Sequence, residues 1–324
     1  LVGSEMCIRD SYRLSHEDGE LLVSHPAIGA TGYTGARSSG LTLKAAADKA
    51  GKPIYLELSS INPIFILPGA LAGRVEELVE EYVTSVLMGA GQFCTNPGIT
   101  VVIASEPASQ FVAGAAAGFE KTEPGCLLGA RVVSGLGESV EELVACGAEL
   151  LTGGTPVDGA GFRFQNTLLK VSGESFLQQP EALQREAFGN AGLIVVVADE
   201  TELVEVSKVF EGNLTGSVYS CAEGADDALY ASIARNLRSR VGRLLNDKMP
   251  TGVAVCPAMN HGGPFPATAQ AGFSAVGIPG ALLRFAMLQC YDHVRPERLP
   301  AGLRDENPRE LWRQIDGRWT QSSL

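Results

Sequence analysis

The stretch that decides the fold is residues 75–104, VEELVEEYVTSVLMGAGQFCTNPGITVVIA. Its first half sets apolar side chains at Val75, Leu78, Val79, Tyr82 and Val86, with Glu76, Glu77, Glu80 and Glu81 between them. That spacing predicts an amphipathic helix over 75–88 whose acidic face is solvated. Residues 89–98 are polar and glycine-bearing and read as a loop, and residues 99–104 follow as a buried strand. Outward from this unit, strands at 27–33, 54–58, 193–198, 216–220 and 252–256 alternate with helices at 40–50, 108–119, 139–146, 202–210 and 225–237. Strands alternating with helices predict an α/β fold with mostly parallel sheets.

Composition excludes several classes. Hydrophobic residues make up 45% and charged ones 19% of the 324 residues, enough apolar surface for sizeable cores. The length points to two domains at roughly 150 residues each. A net charge of −12 offers phosphates no basic surface, and aromatic residues are scarce at 6%, so no nucleic-acid partner is expected. The charge-free stretch 83–105 is broken by Gly, Gln, Asn and Pro, so no membrane span is expected. Cys7, Cys94, Cys126, Cys146, Cys221, Cys256 and Cys290 form no CxxC pair. Most of them read as buried free thiols of a reducing, cytoplasmic compartment. His16, His25, His261 and His293 show no local ligand spacing, so no metal is expected.

Three features carry chemistry. Gly29, Gly32 and Gly35 form a GxxGxxG run within a strand candidate, a weak phosphate-loop signal. Cys94 sits in a glycine-lined polar loop, reachable by a substrate, and reads equally as a nucleophile or an incidental loop cysteine. Glu57 is embedded in the apolar segment 54–58, a placement that fits a structural ion pair or a general base.

These residues fall into an ordered set: Tyr33-Thr-Gly-Ala36, then Leu56-Glu57-Leu-Ser-Ser-Ile-Asn62-Pro63, then Gly91-Gln-Phe-Cys94, then Arg185-Glu186-Ala-Phe188-Gly189. Glu57 precedes Cys94 by 37 residues and Glu186 follows it by 92. In this order and spacing the chain resembles the aldehyde dehydrogenase superfamily over about residues 21–317. The Met249-Pro-Thr-Gly-Val and His261-Gly-Gly-Pro-Phe-Pro-Ala-Thr268 segments look most like its 2,5-dioxopentanoate (α-ketoglutarate semialdehyde) dehydrogenases, enzymes of sugar-acid and hydroxyproline catabolism.

The resemblance implies a partial Rossmann-type nucleotide-binding domain joined to an α/β catalytic domain. It implies NAD or NADP as cofactor, an aldehyde substrate and, for the complete protein, a homo-oligomer. Cys94 would attack the aldehyde to form a thiohemiacetal, hydride would pass to the nicotinamide, and Glu57 would activate water to hydrolyse the thioester. Glu186 would bind the nicotinamide ribose, Phe188 would support the ring, and Thr34, Gly35 and Ala36 would lie along the cofactor. Two positions depart from the family pattern: Ala36 replaces the usual serine, and Asn190 replaces the proline that ends the Glu-x-Phe-Gly motif. The residues that complete the family's oxyanion hole and adenosine site are expected upstream of this chain.

The division that follows is 1–11 as a non-native segment, 12–59 as part of a nucleotide-binding domain, 60–285 as the catalytic domain and 286–324 as a tail. With flanking strands expected to be missing, Ile28, Ile54 and Leu56 are expected at exposed sheet edges. Two competing readings remain: a catalytically silent fragment of the same fold, and a thiol hydrolase or acyltransferase using Cys94 with His261 as base. A histidine within hydrogen-bond reach of the Cys94 sulfur would favour the second. His261 itself reads evenly as a loop hydrogen-bonder or a pocket residue.

Overall fold

The computed structural model describes residues 12–275 and 278–324. The expected non-native segment, 1–11, and Cys7 lie outside the described residues. The chain divides into two compact units that part after Arg284.

The larger unit opens with the helix His16–Ser24, the strand β1 (Thr31–Thr34), the helix Arg37–Lys49 and the strand β2 (Ile54–Glu57). β1 and β2 pair in parallel. Val23, Ala47, Ile54, Leu56 and Leu58 form a small core between this pair and its two helices. The expected exposure of Ile54 and Leu56 is therefore corrected: they are only 1% and 2% exposed. The second edge of β2 is also covered, because Leu58 N donates to Ala267 O and Ala269 N donates to Leu56 O.

The remaining strands of this unit are β3 (Ile64–Ile66), β4 (Ile99–Ile103), β5 (Glu149–Thr152), β6 (Thr167–Ser172), β7 (Ala191–Val197), β8 (Asn213–Tyr219) and β9 (Val241–Asn246). They form one sheet in the order β5-β6-β7-β4-β3-β8-β9. All neighbours are parallel except β5 and β6. Alternation along β3 feeds both faces: Ile64 and Ile66 enter one core, Phe65 the other. Helices Val75–Leu87 and Glu106–Lys121 cover the first face. Helices Ala130–Ala145, Glu200–Lys208 and Asp227–Leu237 cover the second. This is the doubly covered parallel sheet that the helix–strand alternation predicts.

Some boundaries differ from the sequence reading. Residues 252–256 are not a strand; β9 lies earlier and includes Gly242 and Arg243, which mask its apolar pattern. Gly242 is required there because a Cβ would sit 1.7 Å from the Gly262 carbonyl oxygen. The smaller unit, Phe285–Leu324, contains the antiparallel hairpin β10 (Arg313–Ile315) and β11 (Arg318–Thr320). Asn307 braces this unit by donating to Leu311 O and Gln321 O. No helix among the described residues is long and apolar enough to cross a membrane.

One buried side chain joins β8 to the segment after β2. Asn213 Oδ1 accepts from Ile61 N at 2.8 Å and from Asn62 N at 3.1 Å. Asn213→Ala leaves both buried donors unpaired and is expected to cost roughly 2–6 kcal/mol, at about 1–3 kcal/mol for each. Urea unfolding should show a lower midpoint with an unchanged slope; a shift worth less than ~0.5 kcal/mol would contradict this role.

Candidate active site

Glu57 ends β2, and its backbone oxygen accepts from Gly35 N at 3.1 Å. The register of the β1–β2 pair sets Thr34 opposite Glu57. The chain then turns through Ser59-Ser60-Ile61 to Asn62, which adopts φ 46°. Asparagine tolerates this left-handed conformation better than most residues. Asn62 is fully buried, and its side-chain amide donates to Cys94 O at 3.0 Å and Asn96 O at 2.8 Å. Its Oδ1 accepts from the backbone N and hydroxyl of Thr215 on β8.

The loop that Asn62 grips begins at a sharp reversal. Gly89, Ala90 and Gly91 all have positive φ, at 58°, 56° and 70°. Ala90 in this region costs about 1–2 kcal/mol and persists because the surroundings hold it. Gly91 has no alternative: a Cβ would lie 1.9 Å from Gly189 O. This close approach seats the Cys94 loop directly on the loop that carries Glu186 and Phe188. Cys94 itself is partly exposed, as a nucleophile must be. Exposure does not single it out, however. Cys126 and Cys290 are more exposed, and Cys146, Cys221 and Cys256 are also partly exposed, which corrects the expectation of buried thiols.

His261 arrives from the loop after β9. Its backbone N donates to Ser274 Oγ, its carbonyl accepts from Ala275 N, and the preceding Asn260 donates to Gly242 O. The ring is nearly buried, and its Nε2 stands 3.3 Å from Cys94 Sγ and 3.0 Å from Glu57 Oε1. Burial would lower the pKa of this ring, but hydrogen bonds from the ring to Cys94 and Glu57, with their charges, outweigh it and push it up to about 9. At neutral pH the ring is therefore protonated, with one N–H shared between sulfur and carboxylate.

The residues named for the cofactor gather beside this cluster. Thr34, Gly35 and Ala36 are exposed at the end of β1, and Ala36 is the N-cap of the helix Arg37–Lys49 without a side-chain cap. Glu186 is half-buried; burial pushes its carboxyl up to about 7, opposed by hydrogen bonds from Ser59 and Ser60 and by the charge of Arg37. Arg37 in turn pairs with Glu211 at 2.6 Å. Phe188 is 40% exposed and lines one pocket with Glu186, Phe93 and Ser60. Asn190, in the place of the family proline, is buried and donates to Phe164 O and Asn166 Oδ1, so a different residue type fixes that turn.

The fold is a doubly covered parallel α/β sheet in which a loop cysteine faces a histidine and a carboxylate. The aldehyde dehydrogenase family profile matches residues 14–257, and the chain belongs to that family. The chain is 38% identical over 308 residues to Alpha-ketoglutaric semialdehyde dehydrogenase 2 of Azospirillum brasilense, covering 93% of this chain and 57% of that one. It is 33% identical to Alpha-ketoglutaric semialdehyde dehydrogenase of Acinetobacter baylyi, covering 94% of this chain and 58% of that one. The chain thus spans somewhat over half the length of these relatives. Among solved structures, an indole-3-acetaldehyde dehydrogenase complexed with NAD+ superposes with TM-score 0.69 at 16% identity, over 84% of this chain and 53% of that one. That likeness supports the fold.

Residue order and spacing single out Glu57 and Cys94, leave His261 open and give Asn62 no role of its own, although it stands in a quoted motif. The protonated ring of His261 makes a testable difference to the sulfur. His261→Gln is expected to slow Cys94 alkylation by iodoacetamide at neutral pH by roughly 10–100-fold, the worth of one hydrogen bond to a charged group. Peptide mass mapping reads the rate at Cys94 with Cys126 as internal reference. Equal rates in both proteins would show that the ring does not act on the sulfur.

Proposed function

We propose that this chain forms part of an NAD(P)-dependent enzyme that oxidises an aldehyde to a carboxylate, with 2,5-dioxopentanoate as substrate and 2-oxoglutarate as product. The observation that carries the reading is the position of Glu57. One side of it is hydrogen-bonded to the Thr34–Gly35 end of β1, and the other faces His261 and Cys94. The semialdehyde named for the two relatives supports the substrate assignment.

The residues present fit a dinucleotide. Ligands of parallel α/β sheets bind beyond the carboxyl ends of the strands, where Thr34 to Ala36 stand. The N-terminus of the helix Arg37–Lys49 lacks a side-chain cap and leaves N–H groups for a phosphate. Glu186 would hold a ribose hydroxyl, and Phe188 would flank the ring. A nicotinamide bound there supplies the hydride acceptor. Cys94 Sγ adds to the aldehyde carbon, and the resulting thiohemiacetal becomes a thioester when that carbon is oxidised. Glu57 then takes a proton from a water molecule that attacks the thioester carbonyl, which releases the carboxylate and returns the thiol.

The 3.3 Å contact between Cys94 and His261 favours a second reading, thioester hydrolysis or acyl transfer with His261 as base. Against it, one nitrogen of His261 faces both partners, whereas a triad orients its histidine through the opposite nitrogen. A ring protonated up to about pH 9 is also a poor base at neutral pH.

Rapid mixing of the full-length protein that contains this chain with 2,5-dioxopentanoate and NAD+ or NADP+ separates the readings. Cys94→Ser should yield no reduced cofactor. Glu57→Gln should retain a burst of reduced cofactor followed by a steady state slowed by roughly 10²–10⁴-fold. Cofactor-independent thioester hydrolysis without aldehyde oxidation would favour the second reading, and a burst-free, uniformly slow Glu57→Gln would assign Glu57 to structure.

A further inference from the structure

Glu57, Cys94 and His261 contribute a carboxylate oxygen, a sulfur and an imidazole nitrogen that all lie within 4.8 Å of one another. No local sequence spacing announces this set, because its members are 37 and 167 residues apart along the chain. We propose that these three side chains form a zinc(II) site with one open position, and that zinc bound there reversibly silences the Cys94 sulfur.

The geometry supports this ligand. In a tetrahedral zinc centre with bonds of about 2.0 Å to N and O and about 2.3 Å to S, nitrogen lies about 3.3 Å from oxygen and about 3.5 Å from sulfur. The chain already holds those pairs at 3.0 Å and 3.3 Å. The third pair, sulfur to oxygen, lies within 4.8 Å, so seating the ion requires the two nitrogen pairs to open slightly and the sulfur and oxygen to adjust to about 3.5 Å. The donor types choose the metal: sulfur and imidazole suit zinc, while calcium and magnesium favour all-oxygen shells. Thiolate and carboxylate together also neutralise the two positive charges of the ion.

The three donors are carried on separate, well-anchored segments. Glu57 is fixed by β1 on one side and by its bridge to Thr268 on the other. Asn62 fixes the Cys94 backbone, and Ser274 and Ala275 fix that of His261. Zinc binding at neutral pH releases the proton on His261, and a site built this way needs little movement of its backbone. Its fourth position stays open to water or a substrate oxygen, as in zinc sites with three protein ligands. A sulfur bonded to zinc cannot add to an electrophile, so occupancy and alkylation exclude each other. The inference rests on donor geometry and is independent of the aldehyde reading.

The test uses the purified protein, zinc chloride and a competing chromophoric chelator, with no activity assay. One equivalent of zinc should bind and protect Cys94, but not Cys126, from iodoacetamide in peptide mass mapping; chelation by EDTA should restore alkylation. Cobalt(II) in place of zinc should give a sulfur-to-metal charge-transfer band that Cys94→Ser abolishes. Cys94→Ser, His261→Gln and Glu57→Gln should each weaken zinc by more than the roughly 10–100-fold typical of losing an outer partner. Cys126→Ser should leave affinity unchanged. Absence of zinc binding, unchanged affinity in Cys94→Ser, or equal protection of Cys126 would overturn the proposal.

Discussion

The side-chain amide of Asn62 is the contact on which the site depends. Its nitrogen donates to the carbonyls of Cys94 and Asn96, while its oxygen accepts from Thr215 on β8. One fully buried residue thus ties the Cys94 loop to the central sheet. Asn213 secures Asn62 in turn by accepting from its backbone N–H. Apart from the partly exposed Cys94, these groups are buried, so a lost bond leaves a donor or acceptor with no water to replace its partner. The strained reversal at Gly89 to Gly91 is sustained by the same packing, with Gly91 pressed against Gly189. The cysteine therefore sits on a rigid platform even though it occupies a loop.

Charge organises what the platform presents. A single nitrogen of His261 faces both the Cys94 sulfur and the Glu57 carboxylate. The ring is protonated at neutral pH because two acidic partners outweigh its burial. It bridges Cys94 and Glu57 through one nitrogen, which distinguishes this arrangement from a triad, where one nitrogen exchanges the proton and the carboxylate orients the ring through the other. Arg243, on β9, adds a further positive charge in the neighbourhood of Cys94, and its guanidinium donates to Pro250 O and Gly252 O. Gly252 N in turn donates to the hydroxyl of Thr95, the residue after Cys94.

The sequence made the α/β class legible because helix and strand periods alternate cleanly, as in residues 75–104. It made Cys94 and Glu57 legible because each breaks a local rule: a thiol in a polar glycine loop, an acid in an apolar strand. Asn62 breaks no such rule. Its work is done on backbone carbonyls 32 and 34 residues away, and backbone partners leave no trace in composition. His261 stays open in the sequence for a related reason, since its partners come from two other segments. β9 lies earlier than its sequence suggests because Gly242 and Arg243 interrupt its apolar run, and the glycine there is imposed by the approach of Gly262. The cysteines are more exposed than their sequence surroundings imply because apolar neighbours in sequence do not ensure burial in space.

The central claim is that Asn62 holds Cys94 where His261 can act on it, so the two side chains must be energetically coupled. A double-mutant cycle over Asn62→Ala and His261→Gln, read as the rate of Cys94 alkylation in proteins shown to be folded, measures that coupling directly. The account predicts strong non-additivity: once Asn62 is lost, removing the ring should change the rate little, for a coupling of about 1 kcal/mol or more. Effects that add to within about 0.3–0.5 kcal/mol would contradict it, because the loop would then hold its position without the clamp.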